Sequence, residues 1–576
     1  MTEPTFPAAI AARAAAHAGE TILRKKDRGI WRSITWSDLD ARARAIGSAL
    51  RQDGLKPGDV VGIMSEANPD WIAADLGILG AGLVSLGLYP TDAAPTVTHI
   101  LNDSGCRFLF VENEEQLDKT LHLRDACPAL TRIVILDMKG LREFSDPMCE
   151  SLEALIARGS NSDPQAWTRL IAALDPASLA VLSYTAGTTG VPKGVMLSHA
   201  NIMAQVAGAA ALSGQTASDE RLAFLPMCHV TERILGLYQS LYCRTISNLV
   251  ESAETVPENL QEVRPTVMIA IPRVWQKFYA RLAVASTGAT RLQKVLYDWA
   301  FNQSAAAIDA NRPIGALASL AAWLILRPAR RAVGLDRLRV AWVGGAPVAP
   351  ALLRWYCAIG IDLREVYGLT ECAGLADIAG SAITLSPAGE VLVRGPHVCL
   401  GYWGQPEHSA AMLAGGTLRT GDLGRMEGNK LVLTGRTSEV LTLPDGARLN
   451  PAAIENELIL SPFIADAIVM PGAGGLSALV LIEHETVEKW AQDSNVAFTG
   501  FASLIQAPEV SALIGRAIEQ ANAAAKQRVT RFRLIDRNLA PEDPELTPMM
   551  KLRREVVVAR FRPLIEDMSR AASATG

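Results

Sequence analysis

The chain has 576 residues, of which 49% are apolar and 20% charged, with a formal net charge of −5. One hydrophobic core rarely grows past about 250–300 residues, so a chain of this length must divide into several packed units. The mild acidity gives no electrostatic basis for a nucleic-acid partner, and the eight scattered cysteines, without a CxxC pair, suggest neither a disulfide framework nor a thiolate zinc site.

The first twenty residues carry acidic side chains and lack a long apolar core, so no signal peptide is expected; with the cysteine usage, this points to a cytoplasmic location. A helical pattern over 37–51 is followed by short apolar runs at 60–64, 108–111 and 133–136, with 71–89 reading as a buried helix, turn and strand. The same rhythm returns at 179–184, 222–225, 267–271 and 340–343. Turn signals such as Lys56-Pro57-Gly58-Asp59 and Asp175-Pro176 stand before strands. This alternation predicts α/β layers with mostly parallel strands. The segment 317–326 is apolar but short of the about 20 residues a membrane span requires, and Arg327, Arg330 and Arg331 follow it; it suggests peripheral contact with the inner face of a membrane.

From about Gly389 the pattern turns to short β pieces at 390–394 and 430–433. After Arg436 come a helix at 451–460, strands at 465–470 and 477–482, a helix at 510–526 and a strand at 531–535. A polar loop over 543–550 then precedes a basic helix beginning near Lys551. The expected fold is therefore α/β: a large N-terminal domain, 1–436, of layered α/β subdomains with a β-rich subdomain, and a small mobile α+β C-terminal domain, 437–576.

The strongest chemical signal runs from Tyr184 to His199. A strand there leads into Gly187, Thr188, Thr189 and Gly190, with Lys193 shortly beyond. Glycines let backbone N–H groups converge on anionic oxygens, threonines add hydroxyl donors and lysine adds charge, so this reads as a phosphate loop, although the GxxxxGK[ST] spacing is absent. Gly344, Gly345, Ala346 and Pro347 form a turn poor in side chains, suited to a flat ligand or to simple packing. Tyr367-Gly368-Leu369-Thr370-Glu371 offers an aromatic face, a hydroxyl and a carboxylate able to hold Mg²⁺, a cation that prefers oxygen ligands. Asp422 follows a glycine turn, where it could accept from two ribose hydroxyls, and Arg436 lies downstream; an ordinary surface pair is the other reading. His229 follows a strand, as a packing group or a site group, and Cys228 beside it is a weak thiol candidate. The other histidines, His99 among them, make no metal-ligand spacing.

Read together, YTAGTTGVPKG, LPMCHVTER, IPRVW, GGAP, YGLTE, GEVLVRG with GYW, TGDLGR, TGRTSEV and ELTPMMKLRR resemble, in order, the motifs of the acyl-adenylate-forming or AMP-binding enzymes. The resemblance spans roughly 10–565 and is to the long-chain fatty acyl-CoA synthetase branch. It implies an ATP-dependent fatty acid–CoA ligase using Mg²⁺, with CoA as cosubstrate and a medium-to-long-chain fatty acid as substrate. It further implies that Thr185 through Lys193 grip the β,γ-phosphates, that Gly344–Pro347 with Tyr367 and Gly368 form the adenine site, and that Glu371 binds magnesium. Asp422 and Arg436 would contact ribose, Thr370 the α-phosphate, and His229 would lie between carboxylate and acyl pockets. Lys551 resembles the C-terminal lysine required for adenylation, which rotation of the small domain then withdraws. Against the family pattern, Ala186 replaces a common serine, Ser438 sits at the hinge position, Met550 precedes the lysine, and the connection from Glu371 to Gly389 is short by a β segment. Loading of a carrier-protein thiol, or a nucleotide-binding regulator, are the alternative readings.

Overall fold

The computed structural model describes residues 3–185, 191–287, 291–310, 312, 322–346, 348–428, 430–442, 446, 448–472, 475–524, 528–540, 543–547 and 552–573, the side chains of 283–287, 292–294, 322–323, 524 and 569–573 excepted. Continuous apolar runs become strands buried on both faces, as parallel sheets require. Val60–Met64 lies between Val84–Leu88 and Phe108–Val111, all parallel, in an eight-stranded sheet. That sheet continues through Leu179–Thr185 to the antiparallel strands Lys193–Ser198 and Gly401–Tyr402. A second, seven-stranded sheet orders Leu363–Glu365, Val340–Val343, Val267–Ala270, Glu220–Ala223, Ile246–Leu249, Thr21–Asp27 and Ile30–Thr35, parallel except for its last pair. The expected helix–turn–strand over 71–89 is present as helix Pro69–Gly80 and strand Val84–Leu88. Its helix is buried on every side, which is why it lacks an amphipathic stripe.

A four-stranded antiparallel sheet follows: Ala382–Leu385, Glu390–Arg394, Leu418–Glu427 and Lys430–Arg436. The short connection after Glu371 is therefore not stripped of β structure. It holds Gly374–Leu375, paired with Gly368–Leu369, and the edge strand Ala382–Leu385. Beyond the turn Thr437–Glu439, the smaller C-terminal α+β domain is built on strands Ile464–Gly472, Gly475–Ile482 and Val529–Leu534, with helix Pro508–Ala524 packed on them. Its basic helix starts at Arg554 rather than at 551. The strand expected at 222–225 lies two residues earlier, at Glu220–Ala223, because the buried Arg221 is paired with the buried Glu232 and can enter a strand that its charge argues against.

One polar cluster inside the N-terminal domain anchors a functional segment. The guanidinium of Arg233 pairs with Asp75, donates to Ser85 Oγ at 2.5 Å and to the Tyr238 phenol at 3.0 Å, and lies 5.2 Å over Trp71. Tyr238 in turn donates to Asp75 Oδ2 at 2.6 Å. Arg233 and Tyr238 belong to the π-helical turn Thr231–Tyr238, so this fully buried cluster ties the segment that begins just after His229 to helix Pro69–Gly80.

Candidate active site

Gly87, near the C-terminal end of strand Val84–Leu88, lies against Cys228, beyond the C-terminal end of Glu220–Ala223 in the other sheet; ligands of open α/β sheets bind at such strand ends. Thr185 ends its strand directly opposite Lys193, where the next, antiparallel strand begins. Gly187, Thr188, Thr189 and Gly190, like Pro347 and Lys551, lie outside the described residues. At the loop's far end His99 Nε2 is 3.2 Å from the Pro192 carbonyl, to which it can only donate. Lys193 holds its ammonium 5.4 Å over the Tyr402 ring, a cation–π distance.

Tyr402 carries this arrangement onward. Its phenol donates to Glu371 Oε1 at 2.7 Å, and Cys399 N–H secures the Glu371 carbonyl at 2.8 Å. A carboxylate offers about four lone-pair sites, so one phenol leaves Glu371 with acceptor capacity. Thr370 opens the same short turn, Thr370–Cys372. No cluster of three or more His, Cys, Asp or Glu able to hold a metal occurs among the described residues. A lone carboxylate of this kind suits a magnesium ion whose remaining oxygen ligands come from phosphates and water.

A second line of contacts lies beside the first. Tyr367 donates to Asp422 Oδ2 at 2.8 Å, and Arg436 Nε sits 2.9 Å from Asp422 Oδ1. Asp422 and Arg436 are direct cross-strand partners, which is how residues fourteen apart in sequence meet. Burial works against the charge on Arg436, but Asp422, with Glu439 and Glu371 nearby, raises its pKa overall. Arg436 thus senses both carboxylates and joins the two lines into one site.

Gly344 leaves strand Val340–Val343 where a Cβ would meet the Val366 carbonyl at 2.7 Å, so the turn carrying Gly345 and Ala346 lies against the residue before Tyr367. At Gly368 a Cβ would lie 2.0 Å from the Gly374 carbonyl. The strand pair itself demands glycine there, a packing reason independent of any ligand.

His229 is held in a defined form. Thr231 N–H donates to its Nδ1 at 3.2 Å, which places the ring proton on Nε2. Burial lowers its pKa to about 4, so the imidazole is neutral near pH 7 and acts as a hydrogen-bond donor. Cys228 is corrected as a nucleophile: burial raises its pKa well above the ordinary thiol value, leaving no thiolate. Sequence spacing missed Tyr402, although the GYW motif contains it. It also missed Asp103, which accepts from the Tyr184 phenol at 2.5 Å and, through its carbonyl, from Trp403 Nε1 at 2.9 Å. Contacts of this kind cross between elements and leave no local periodicity.

Comparison with known proteins adds three findings. Residues 10–386 match the family described as AMP-binding enzyme. A long-chain-fatty-acid–CoA ligase, FadD15 of Mycobacterium bovis, is 30% identical over 564 residues, covering 93% of this chain and 92% of that protein; the long-chain-fatty-acid–CoA ligase ACSBG2 of Rattus norvegicus is 26% identical over 605 residues, covering 95% and 90%. Among solved structures, the adenylation domain of a carboxylate reductase from Mycobacterium chelonae superposes with a TM-score of 0.79 at 20% identity, covering 98% of this chain and 91% of that one.

Proposed function

The chain belongs to the AMP-binding enzyme family and is an ATP-dependent acyl-adenylate-forming enzyme, and from that premise we propose that it is a fatty acid–CoA ligase acting on medium-to-long-chain acids. The observation that carries this reading is the continuous set Lys193–Tyr402–Glu371 and Tyr367–Asp422–Arg436, which brings a cation, a hard carboxylate and a shielded second carboxylate to one place. The length of the substrate rests on similarity to the long-chain ligases.

A carboxylate resists thiols because its leaving group would be oxide. In the proposed first step one carboxylate oxygen attacks the α-phosphorus of ATP, the bond to the bridging oxygen breaks, and pyrophosphate leaves. Asp422, its two oxygens already oriented by Tyr367 and Arg436, accepts the ribose hydroxyls on its remaining lone pairs. Thr185, Lys193 and the loop residues Gly187 through Gly190 bind the departing phosphates, and Thr370 donates to the α-phosphate. The turn of Gly344, Gly345, Ala346 and Pro347, with the Tyr367 ring, encloses adenine. Glu371 holds magnesium, which when bound neutralises phosphate charge. The neutral His229 donates from Nε2 to the carboxylate and orients it.

In the second step the CoA sulfur attacks the acyl carbonyl, AMP leaves with the electron pair of the broken C–O bond, and the thiol proton passes to solvent. Residues 437–576 are proposed to deliver Lys551 for the first step and to rotate away for the second, so that one site serves two dissimilar transition states. Incubation with ATP, Mg²⁺, CoA and acids of graded chain length tests the reading by mass spectrometry. Acyl-CoA rising with chain length supports it. Pyrophosphate release without acyl-CoA redirects the second step to a carrier-protein thiol, and ATP binding without acid-dependent turnover assigns the chain a regulatory role.

A further inference from the structure

Exposed apolar side chains are not spread evenly over this molecule. Of the ten large ones exposed among the described residues, six stand singly, at positions such as Ile30, Leu212 and Met426, while Val295, Leu296, Trp299 and Leu324 gather on two adjoining helical segments. Helix Arg291–Asp309 and the helical turn Ala322–Leu326 pack through Ala300 and Leu326, with Tyr297 and Ile325 against them. Having buried that seam, they still leave Val295 64%, Trp299 46% and Leu324 56% exposed. Arg291, Val295 and Trp299 recur at a spacing of four and so share one helix face, with Leu296 beside them.

Charge separates this region from the rest of the chain. Residues 273–333 contain nine Lys and Arg against two Asp, whereas the other 515 residues contain 46 Lys and Arg against 58 Asp and Glu. Pairs cross its border in both directions, Asp309 with Arg354, Arg273 with Glu483 and Arg327 with Asp336, and leave the stretch strongly basic. Lys277, Arg281, Arg291 and Arg331 are exposed. A basic stretch in an acidic chain, which also exposes a tryptophan and aliphatic side chains with Arg291 on the same helix face, supplies the two requirements for seating on an anionic bilayer: apolar groups for the acyl boundary and cations for the headgroups. A second copy of the chain is a poorer occupant, because an isologous contact would bring two such cationic faces together.

We propose that the helix Arg291–Asp309 with the turn Ala322–Leu326 is a docking face for the surface of an anionic lipid bilayer, entered by Leu296, Trp299 and Leu324 and held by Arg291 and the other exposed cations of this stretch. Among the described residues no helix is long and apolar enough to cross a membrane, so the contact is peripheral. For an enzyme of water-insoluble acids, such a face brings the protein to the phase where its substrate resides. The contact itself needs neither acid nor ATP.

Sedimentation of the full chain with vesicles of mixed phosphatidylglycerol and phosphatidylcholine, against vesicles of phosphatidylcholine alone, tests the proposal without nucleotide or substrate. The expected result is partition at least about tenfold stronger onto the anionic vesicles at low salt, largely lost at about 1 M salt. Leu296→Ser with Trp299→Ser, and separately Arg291→Glu with Arg331→Glu, are each expected to lower that partition by about tenfold or more, with ATP binding retained as the check on folding. Should the apolar pair fail to fold, the charge pair decides alone. Absence of binding at low salt, equal binding to both vesicle types, or binding that folded variants leave untouched overturns the proposal. So does a concentration-dependent dimer, abolished by the apolar pair, in a chain that ignores vesicles. A chain that binds vesicles but makes no acyl-CoA would contradict the proposed reaction and leave the docking face standing.

Discussion

Asp422 is the residue on which the proposed nucleotide end of the site turns. It is almost fully buried, yet both its oxygens have donors, Tyr367 on one and Arg436 on the other. Hydrogen bonds to a charged group contribute about 1.5–3 kcal/mol each, so Asp422→Ala is expected to lower kcat/KM for ATP by about a hundredfold or more in a pyrophosphate-release assay, with the fold retained. An unchanged value would remove Asp422 from the site. Two histidines predict how the fold responds to acid. Burial lowers both His199 and His229 from 6.5 to about 4. Between those values the unfolded chain binds protons that the folded chain refuses. Stability therefore rises with pH through that window, is complete above about 6.5, and is lost on acidification, by at most about 3 kcal/mol for each group. Thermal melts from pH 4 to pH 7 read this slope, and His199→Gln should flatten part of it; a Tm independent of pH there would contradict the burial. At this scale, residue type and spacing singled out Glu371 and Asp422, which the structure joins to Tyr402 and to Tyr367 with Arg436; the Thr/Gly loop lies outside the described residues. Tyr402 was out of reach because it meets Glu371 by a side-chain contact across 31 positions, from a strand paired with Lys193–Ser198.

At the scale of elements, the turn Thr231–Tyr238 owes its position to an ion pair in the core. Removing one partner of a buried pair strands the other charge, at a cost of about 3–5 kcal/mol. Asp75→Ala should therefore lower the calorimetric midpoint of the N-terminal domain and, by loosening the segment behind His229, reduce acid-dependent turnover as well. A variant with wild-type midpoint would show that Arg233 finds other partners. The described residues on either side of Lys551 are anchored: Leu552 N–H donates to Asp466 Oδ2 at 2.9 Å, Arg553 N–H to the Glu545 carbonyl at 2.7 Å, and Leu546 bridges to Leu552. Val60–Met64 and Val340–Val343 were legible to the residue, since an uninterrupted apolar run between turn signals has one reading in a parallel sheet. Glu220–Ala223 was displaced in the reading because local pattern cannot see that Glu232 neutralises Arg221. The π-helical geometry has no sequence signature of comparable strength.

For the whole molecule, the question is how the two domains meet. The Arg553 guanidinium, two residues past Lys551, lies near enough to Asp92 to favour its ionised form, although burial wins and raises the Asp92 pKa to about 6. Arg273 and Glu483 approach to 3.9 Å, also between the domains. Asp92 gains its charge only as pH rises through about 6, so the Asp92–Arg553 attraction strengthens above that value and fades below it. The adenylation rate should follow this titration, and Asp92→Asn should remove that component from the pH–rate profile; a profile unaltered by the variant would exclude the contact. Composition and turn signals sufficed to separate an α/β part from a later β-rich and α+β part. The pose of the domains was not legible, because it depends on single charges that meet across more than two hundred residues.

In the proposed reaction this chain activates a carboxylic acid by adenylation in the site formed by Glu371, Asp422 and Arg436 and completed by Lys551. The most direct measurement is pyrophosphate release from ATP and Mg²⁺ with a medium-to-long-chain fatty acid, CoA omitted, for the natural chain and for Lys551→Ala and Asp422→Ala. The account predicts acid-dependent release and a trapped acyl-AMP from the natural chain, with about a hundredfold loss or more in each variant. Release that is independent of the acid, or acid-dependent release that both variants retain in full, would contradict it.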